Sequence, residues 1–446
     1  PRNLKNSRSG WLPGGGGKTP PHKEGAGPRP RARTALERQI MKQDRPFPAV
    51  TVTKKAEASL RSGHPWVYAA EITACEGDCP SGGIVDVFSQ KGAWLGAGFF
   101  SAESKIGVRI LSDNANERFG PAFFERRVKY ALDYRRAVMG GDFACCRLIF
   151  GEADGLPGLT VDRFSNLLSA QVLSRGTDGV KDVIYSALRA QLEAMGERID
   201  GIYERNESPI RALEGLEQYK GWYPGAPHPE SAVTEICENG VRYAVDVENG
   251  QKTGFFLDQK YNRLAVARLA PGRRVLDCFT HTGSFALNCA LAGAEHVTAV
   301  DVSESAVALA RQNAALNGLE GRMDFVAADV FDLLPRLAAE HADYGLVILD
   351  PPAFTKSRRT VAGAERGYHE INYRAMRLLP RGGYLATCSC SHFMPPALFE
   401  KMLRSAARDA NVSLKQVEAR QQAPDHPILW NVPETEYLKF YIFQVV

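Results

Sequence analysis

From about residue 270 the chain alternates short apolar runs with helical stretches, and this rhythm constrains its fold more than any other feature. Val275 to Cys278, Val297 to Val300, Phe325 to Ala328, Tyr344 to Leu349 and Gly383 to Cys388 read as strands. Ser284 to Ala292 and Glu304 to Asn317 read as helices between them. Apolar strands separated by helices form a doubly wound α/β sheet, because helices must cover both faces of each strand. In such sheets ligands bind beyond the carboxyl ends of the strands.

The residues at those ends are therefore the candidates for chemistry. Asp277-Cys278-Phe279-Thr280-His281-Thr282-Gly283-Ser284 leads from the first strand into a helix, and Gly283 lets the backbone approach a ligand closely. This is not G-x-G-x-x-G, which disfavours a nicotinamide cofactor, and the lack of G-x-x-x-x-G-K-[ST] argues against an ATPase that cradles phosphates. Asp301 ends the second strand, where a carboxylate accepts hydrogen bonds from ribose hydroxyls. Asp329 ends the third, where a carboxylate can receive an adenine amino group. Either residue alone reads equally well as a helix N-cap. Three acids at successive strand ends around a glycine turn point to an adenosine-type ligand.

Asp350-Pro351-Pro352-Ala353-Phe354 follows the apolar strand ending at Leu349. Proline cannot continue a central strand, so the chain turns there and places Asp350 and Phe354 beside the ligand. Thr387-Cys388-Ser389-Cys390-Ser391 ends the next strand, with two thiols at i and i+2 facing the same side. A cysteine at a strand end in a polar cleft can be a nucleophile if its thiolate is favoured. Taken alone, a cysteine in a strand reads as a buried hydrophobe.

The chain before residue 270 is more varied. Residues 48–112 read as short strands between turns, a small β-barrel, and 118–140 as a helical stretch. A turn-rich loop, Glu152 to Leu159, precedes strands at 160–162 and 167–173, then a helix at 180–195. Residues 221–230 read as a loop or linker. The formal net charge is +4, but residues 1–40 hold nine Lys/Arg against two Asp/Glu, leaving 46 basic and 49 acidic residues elsewhere. That leader is too poor in aliphatic residues to bury a core and is expected to be disordered, with Met41 the suspected start of the natural chain. The functional alternative for it is a basic nucleic-acid-binding arm. It has no apolar segment of the secretory kind. No run of about eighteen apolar residues occurs, so no membrane-spanning helix is expected. The odd count of nine cysteines suggests reduced thiols in a cytoplasm. Cys75 and Cys79 lack a second pair at ligand spacing, so no metal is expected, and Cys145 and Cys146 read as packing residues.

Asp277…Gly283, Asp301, Asp329 and Asp350-Pro351-Pro352 together resemble class I S-adenosylmethionine-dependent methyltransferases. The nearer resemblance is to the bacterial 23S ribosomal RNA cytosine-5 methyltransferases that carry an N-terminal PUA domain. His64-Pro65-Trp66-Val67, Glu152 to Leu159, Gly254-Phe255-Phe256-Leu257-Asp258-Gln259-Lys260, Ser389-Cys390-Ser391, Asp425-His426-Pro427 and Tyr437-Leu438-Lys439 carry it. It covers residues 48–446, leaving out the disordered basic leader (1–47), and implies three parts: a PUA-like β-barrel (48–116), a central α/β domain (117–230) and a Rossmann-like methyltransferase domain (231–446). His281 stands where the family more often has Tyr, Ser284 where a second Gly is common, Lys260 where Arg is expected and Cys388 where an aromatic is frequent.

The resemblance implies that Cys390 is the nucleophile and that Asp350 stabilises the base. C5 of cytosine is too weak a nucleophile to attack a methyl group unaided, and thiolate addition at C6 supplies the missing electron density. An enzyme that methylates amino groups would not need the thiol, although Asp350 to Phe354 resembles the motif of such enzymes too. Modification of another base, such as guanine, on the same scaffold is the alternative. S-adenosylmethionine is implied as cofactor, with Asp277, Phe279, Gly283, Asp301, Asp329, Asp350, Phe256 and Gln259 as its candidate contacts. Ribosomal RNA is the implied partner, a homodimer being left open. The candidate RNA contacts are Lys54, Lys55, Arg61 and Trp66 in the first domain, and Lys356, Arg358 and Arg359 after the Asp-Pro-Pro turn. Arg126, Arg127, Arg135 and Arg136 form a further basic cluster.

Overall fold

Seven strands form this sheet, the five that the alternation predicts and two beyond them: β1 (Arg274–Cys278), β2 (His296–Asp301), β3 (Met323–Ala327), β4 (Leu346–Leu349) and β5 (Tyr384–Ser389), then β6 (Leu414–Arg420) and β7 (Lys439–Val445), which the sequence reading missed. The computed structural model describes residues 45–355 and 357–446; the expected leader up to residue 44 and Lys356 lie outside the described residues. The strand order is β3-β2-β1-β4-β5-β7-β6. β1 to β5 run parallel, and β7 lies antiparallel between β5 and β6. The order reverses between β1 and β4, and a crevice beyond the strand ends at such a reversal is where these sheets bind ligands.

Both faces of the sheet are dry. Val275, Ile348 and Ala386 join one core cluster, while their neighbours Leu276, Val347 and Leu385 join the other. That period of two, apolar on both faces, is why the central strands read as continuous apolar runs. Each fully buried Leu, Ile or Val contributes about 1.5–3 kcal/mol of transfer free energy. The helices Val361–Leu378 and Pro396–Asp409 cover the second face through Tyr368, Phe399 and Met402.

Two smaller sheets precede it within the compact unit formed by residues 46–446. The first has six strands in the order Trp66–Tyr68, Ile106–Ser112, Trp94–Phe100, Ile84–Ser89, Ala49–Val52, Ile72–Glu76, with the helix Lys54–Arg61 beside it. The second has five, Tyr219–Trp222, Gly201–Asn206, Leu167–Val172, Leu159–Phe164 and Cys145–Phe150, packed against the helices Pro121–Met139 and Lys181–Ala194. The stretch expected as a loop from residue 221 thus begins inside an edge strand. Gly221 and Trp222 pair with Glu204 and Tyr203, a register that turn composition alone conceals.

The five-stranded sheet and the catalytic sheet share a core: Cys145, Phe164 and Tyr203 pack in the same cluster as Val275 and Phe285. The hairpin Val233–Glu238/Val241–Asp246 adds Ile236, Val241 and Tyr243 to that cluster. Arg135 is fully buried here, bonded to Asp154 and, at 3.0 Å, to the Asp425 carbonyl, so it belongs to the interior and leaves the basic surface cluster expected for it. Among the described residues no helix is long and apolar enough to cross a membrane. The nine cysteines are free thiols, Cys145 and Cys146 buried among apolar neighbours.

Candidate functional site

The turn after β1 is held by its own acid. Asp277 is fully buried, and its Oδ2 accepts hydrogen bonds from Thr280 Oγ1 at 2.6 Å and Ala286 N at 3.0 Å. Its Oδ1 has no partner among the described residues. A buried carboxylate oxygen without a donor is costly unless a ligand brings one. Burial lifts this carboxyl to about 7. The turn itself is tightly wound: Phe279 (φ 65°), His281 (φ 50°) and Gly283 (φ 80°) adopt left-handed backbone. A Cβ on Gly283 would stand 3.0 Å from the Cβ of Ala310, so glycine here serves close packing on the next helix as well as the turn.

Asp301, at the end of β2, ties this turn to its neighbour. Its Oδ2 accepts from His281 N at 2.9 Å and its Oδ1 from Ser303 N at 3.0 Å. Each oxygen keeps a second lone pair, enough to receive a diol. The His281 ring packs edge-on against Phe256 at 5.0 Å, and burial lowers its pKa to about 4, so it is neutral. Asp329 is the N-cap of the helix Val330–Ala339, accepting from Phe331 N at 2.8 Å. The capping role and a ligand role are compatible, since the carboxylate is exposed and its other oxygen is not used by the cap.

Across the switch point, Asp350 Oδ1 accepts from Cys388 Sγ at 2.8 Å and from Gln259 Nε2 at 3.1 Å. Burial raises the Asp350 carboxyl above the usual carboxylate range. The two thiols of β5 and its end differ in kind. Cys388 is fully buried, and burial followed by the nearby Asp350 carboxylate pushes its thiol well up. Cys390 is half-buried, and burial raises it to about 11. The flanking serines fix the strand end: Ser389 Oγ bonds Tyr368 Oη at 3.0 Å, and Ser391 Oγ bonds the Thr355 carbonyl at 2.7 Å. Phe354 packs tilted against Tyr368 at 4.6 Å and edge-on to Phe279 at 6.4 Å, linking the Asp-Pro-Pro turn to the first loop.

The stretch before the catalytic sheet does fold into this site. Gln259 is buried and bridges Asp350 and Cys388, while Asn262 Nδ2 fixes its Oε1 at 2.6 Å. Lys252 lies 4.2 Å above the Phe256 ring and pairs at 3.0 Å with Asp258. Burial would raise the Asp258 carboxyl, but Lys252, His426 and the Tyr437 hydroxyl hold it below the usual range. Buried Arg263 braces the segment, pairing with Glu238 at 2.5 Å and donating to the Phe256 carbonyl at 2.5 Å.

Lys439, Lys252 and Asp258 carry no role in the sequence reading. Lys439 is buried, and its Nζ donates to the carbonyls of Ser391 at 2.7 Å and Tyr437 at 2.8 Å. Two signals pointed to it: a cation inside the apolar run from Leu438 to Phe443, and its place in the Tyr437-Leu438-Lys439 stretch of the family resemblance.

The candidate RNA residues are dispersed. Lys54 and Lys55 open the exposed start of the helix Lys54–Arg61, where Lys55 pairs with Glu71 at 2.9 Å and Arg61 with Glu57 at 2.9 Å. Trp66 is half-buried, its Nε1 bonded to Glu152 at 3.0 Å. Arg358 and Arg359 stand exposed on a short turn, and Lys356 lies outside the described residues. Trp430, not singled out by sequence, is 96% exposed. Its loop reaches the first domain, where Asn431 bonds the Gly63 carbonyl and Glu434 pairs with His64 at 3.2 Å.

Comparison with known proteins matches this geometry to a family. The model of the S-adenosylmethionine-dependent methyltransferases matches residues 218–443, and that of the PUA-like domains residues 50–113. Ribosomal RNA large subunit methyltransferase I of Klebsiella pneumoniae (strain 342) is 39% identical over 402 residues, covering 90% of this chain and 99% of that protein. The protein of the same name from Yersinia pestis bv. Antiqua (strain Angola) is 39% identical over 397 residues, 89% of this chain and 98% of that one. Among solved structures, SMU.776, described as a candidate methyltransferase complexed with SAH, aligns with a TM-score of 0.75 at 22% identity, over 89% of this chain and 100% of that one. That likeness shows the shared fold. The cofactor is thus S-adenosylmethionine, and the orphaned oxygen of Asp277 and the free lone pairs of Asp301 fit it. With 39% identity along nine-tenths of its length, the chain belongs to the S-adenosylmethionine-dependent methyltransferases, within the family of ribosomal RNA large subunit methyltransferase I.

Proposed function

We propose that the protein methylates C5 of a cytosine in 23S ribosomal RNA through a covalent bond between Cys390 and C6 of the base. The observation that carries this reading is the pair of thiols at the end of β5. Cys388 is sealed in the core, whereas Cys390 is only half-buried and feels the charge of Asp350. When bound, S-adenosylmethionine supplies an electrophilic methyl group. Asp277 receives the cofactor's cationic end on its free Oδ1, and Asp301 receives the ribose. Phe256, Phe279 and Gly283 line the approach, Gln259 orients Asp350, and Asp329 caps its helix within reach of the adenine. Cys390 thiolate adds to C6, which makes C5 nucleophilic; C5 takes the methyl group as its bond to the sulfonium sulfur breaks, a base removes the C5 proton, and the C5–C6 double bond re-forms as the thiolate leaves. Asp350, whose carboxyl is raised by burial, hydrogen-bonds the base near N3 or N4 and stabilises the adduct.

The PUA-like sheet, in the segment 48–116, is read as the RNA-delivering domain and 231–446 as the catalytic one. Arg358 and Arg359 hold phosphates near the site, Lys54, Lys55 and Arg61 extend the contact, and Trp66 and Trp430 offer aromatic faces to unpaired bases. The reaction is placed in the cytoplasm, where ribosomal RNA is made. The test uses wild type and Cys390→Ala on unmodified 23S RNA with S-adenosylmethionine, followed by mass spectrometry of the nucleosides. The expected result is 5-methylcytidine from wild type and none from the variant. Retained methylation by the variant, or a methylguanosine product, refutes the reading.

A further inference from the structure

The thiol at the proposed nucleophile needs a route for its proton, and Asp350 Oδ1 is already engaged, accepting hydrogen bonds from the Cys388 thiol and the Gln259 amide. We propose that Lys439, as a neutral amine, accepts the proton of Cys390 and so generates the attacking thiolate. This rests on the thiol mechanism above. In β7, Lys439 lies directly opposite Ser389 of β5, one residue before Cys390. Its Nζ is bonded to the carbonyl of Ser391, one residue after Cys390. The amine is therefore held on the backbone one residue beyond the thiol, and the strand that carries it runs beside the residue before the thiol.

Its hydrogen bonding suits this use. Two N–H groups are spent on the Ser391 and Tyr437 carbonyls, at 2.7 and 2.8 Å. A neutral amine has two N–H groups and one lone pair, so both donors are satisfied and the lone pair remains for an incoming proton. After transfer, the ammonium charge offsets that of the sulfur anion. The proton moves from Sγ to Nζ, the thiolate adds to C6, and the proton returns when the thiolate is released.

The electrostatics agree with the geometry. The ionisable groups acting on Lys439 are Cys390, Cys388 and, more weakly, Glu436. Burial lowers the ammonium to about 8, near the pH at which a base must work. Asp350, Lys252, Asp258 and Lys439 are the charged groups acting on Cys390; the two carboxylates oppose ionisation and the two lysines favour it.

The test is alkylation of Cys390 by iodoacetamide in the full chain without RNA or cofactor, followed by peptide mass spectrometry between pH 6 and 10.5. With Lys439 as acceptor, the wild-type rate rises to a break near pH 8 and then flattens. A rate that climbs through pH 10 without a break overturns the proposal. Lys439→Gln keeps two N–H donors but has no lone pair basic enough to take the thiol proton. It should alkylate at least tenfold more slowly at pH 8.5 and lose the break. Lys439→Arg keeps the charge but not the base, and its restoring the wild-type profile would show that charge alone acts, which also overturns the proposal. If the glutamine variant fails to fold, the wild-type profile decides alone. Failure here leaves the Cys390→Ala result intact, so the two readings fail separately.

Discussion

Replacing Asp277 by Asn should stabilise the empty enzyme while weakening its hold on the cofactor. The carboxyl sits fully buried with Oδ1 unpartnered, and burial lifts it from 3.8 to about 7. A change of that size is worth about 4 kcal/mol between the two protonation states. The folded protein keeps a proton that the unfolded chain releases between about pH 4 and 7, so stability falls as pH rises and the whole cost is present above pH 7. Between pH 5 and pH 8 the wild type should therefore lose about 2–3 kcal/mol that an uncharged residue does not lose. Asn retains one oxygen to accept from Thr280 and Ala286, and its amide occupies the place of the orphaned oxygen. The expected gain for Asp277→Asn at pH 8 is about 2–4 kcal/mol, read by urea denaturation at pH 5 and pH 8. A ligand at a hundred times its Kd adds about 2.7 kcal/mol to a protein that binds it, so S-adenosylmethionine should stabilise wild type at pH 8 and leave the variant nearly unmoved. A variant that is less stable than wild type at pH 8, or whose advantage is the same at both pH values, refutes the reasoning.

Three further outcomes follow from the geometry. Gly283→Ala meets both a left-handed φ and Ala310 at 3.0 Å, and should cost about 1–3 kcal/mol in urea denaturation, with weaker cofactor binding by calorimetry. Cys388→Ala should cost about 1–2 kcal/mol of stability for its small cavity, yet still form the covalent RNA adduct when 5-fluorocytosine-substituted RNA is trapped on a gel. Arg358→Ala combined with Arg359→Ala should lower the slope of log affinity against log salt by about 2 on RNA, with little change in urea stability, because both side chains are exposed.

How far the sequence could be read depended on where each residue finds its partner. The parallel strands of the catalytic sheet were legible because both faces are buried, which leaves an unbroken apolar signature in β4 and its neighbours. Asp277 was legible because its partners Thr280 and Ala286 lie within nine residues, and Asp301 partly so through Ser303, whereas the bond from His281 to Asp301 and the packing of Gly283 on Ala310 span longer separations. Asp329 shows the limit of that logic, since its observed bond to Phe331 N is the capping bond any helix start invites, so position alone could not separate the two roles. The edge strand Tyr219–Trp222 was hidden because glycine and proline beside it speak for turns, while its pairing with Gly201–Asn206 comes from packing. Arg135 reads as one arginine in a basic run until Asp154 and Asp425 draw it inward.

Lys439 is the sharpest case. Its carbonyl partner at Ser391 is 48 residues away, and only the antiparallel register of β5 and β7 brings them together. A lysine in a strand of buried apolar residues cannot remain there as an unpaired cation, because desolvation would cost several kcal/mol. It must lose its proton or find compensation. Here it has two carbonyl acceptors and no carboxylate partner among the described ion pairs, a combination that tolerates the neutral amine far better than a salt bridge would. A cation conserving its charge for structure alone would be served by a carboxylate; one held between carbonyls, beside a thiol, is equipped to exchange a proton.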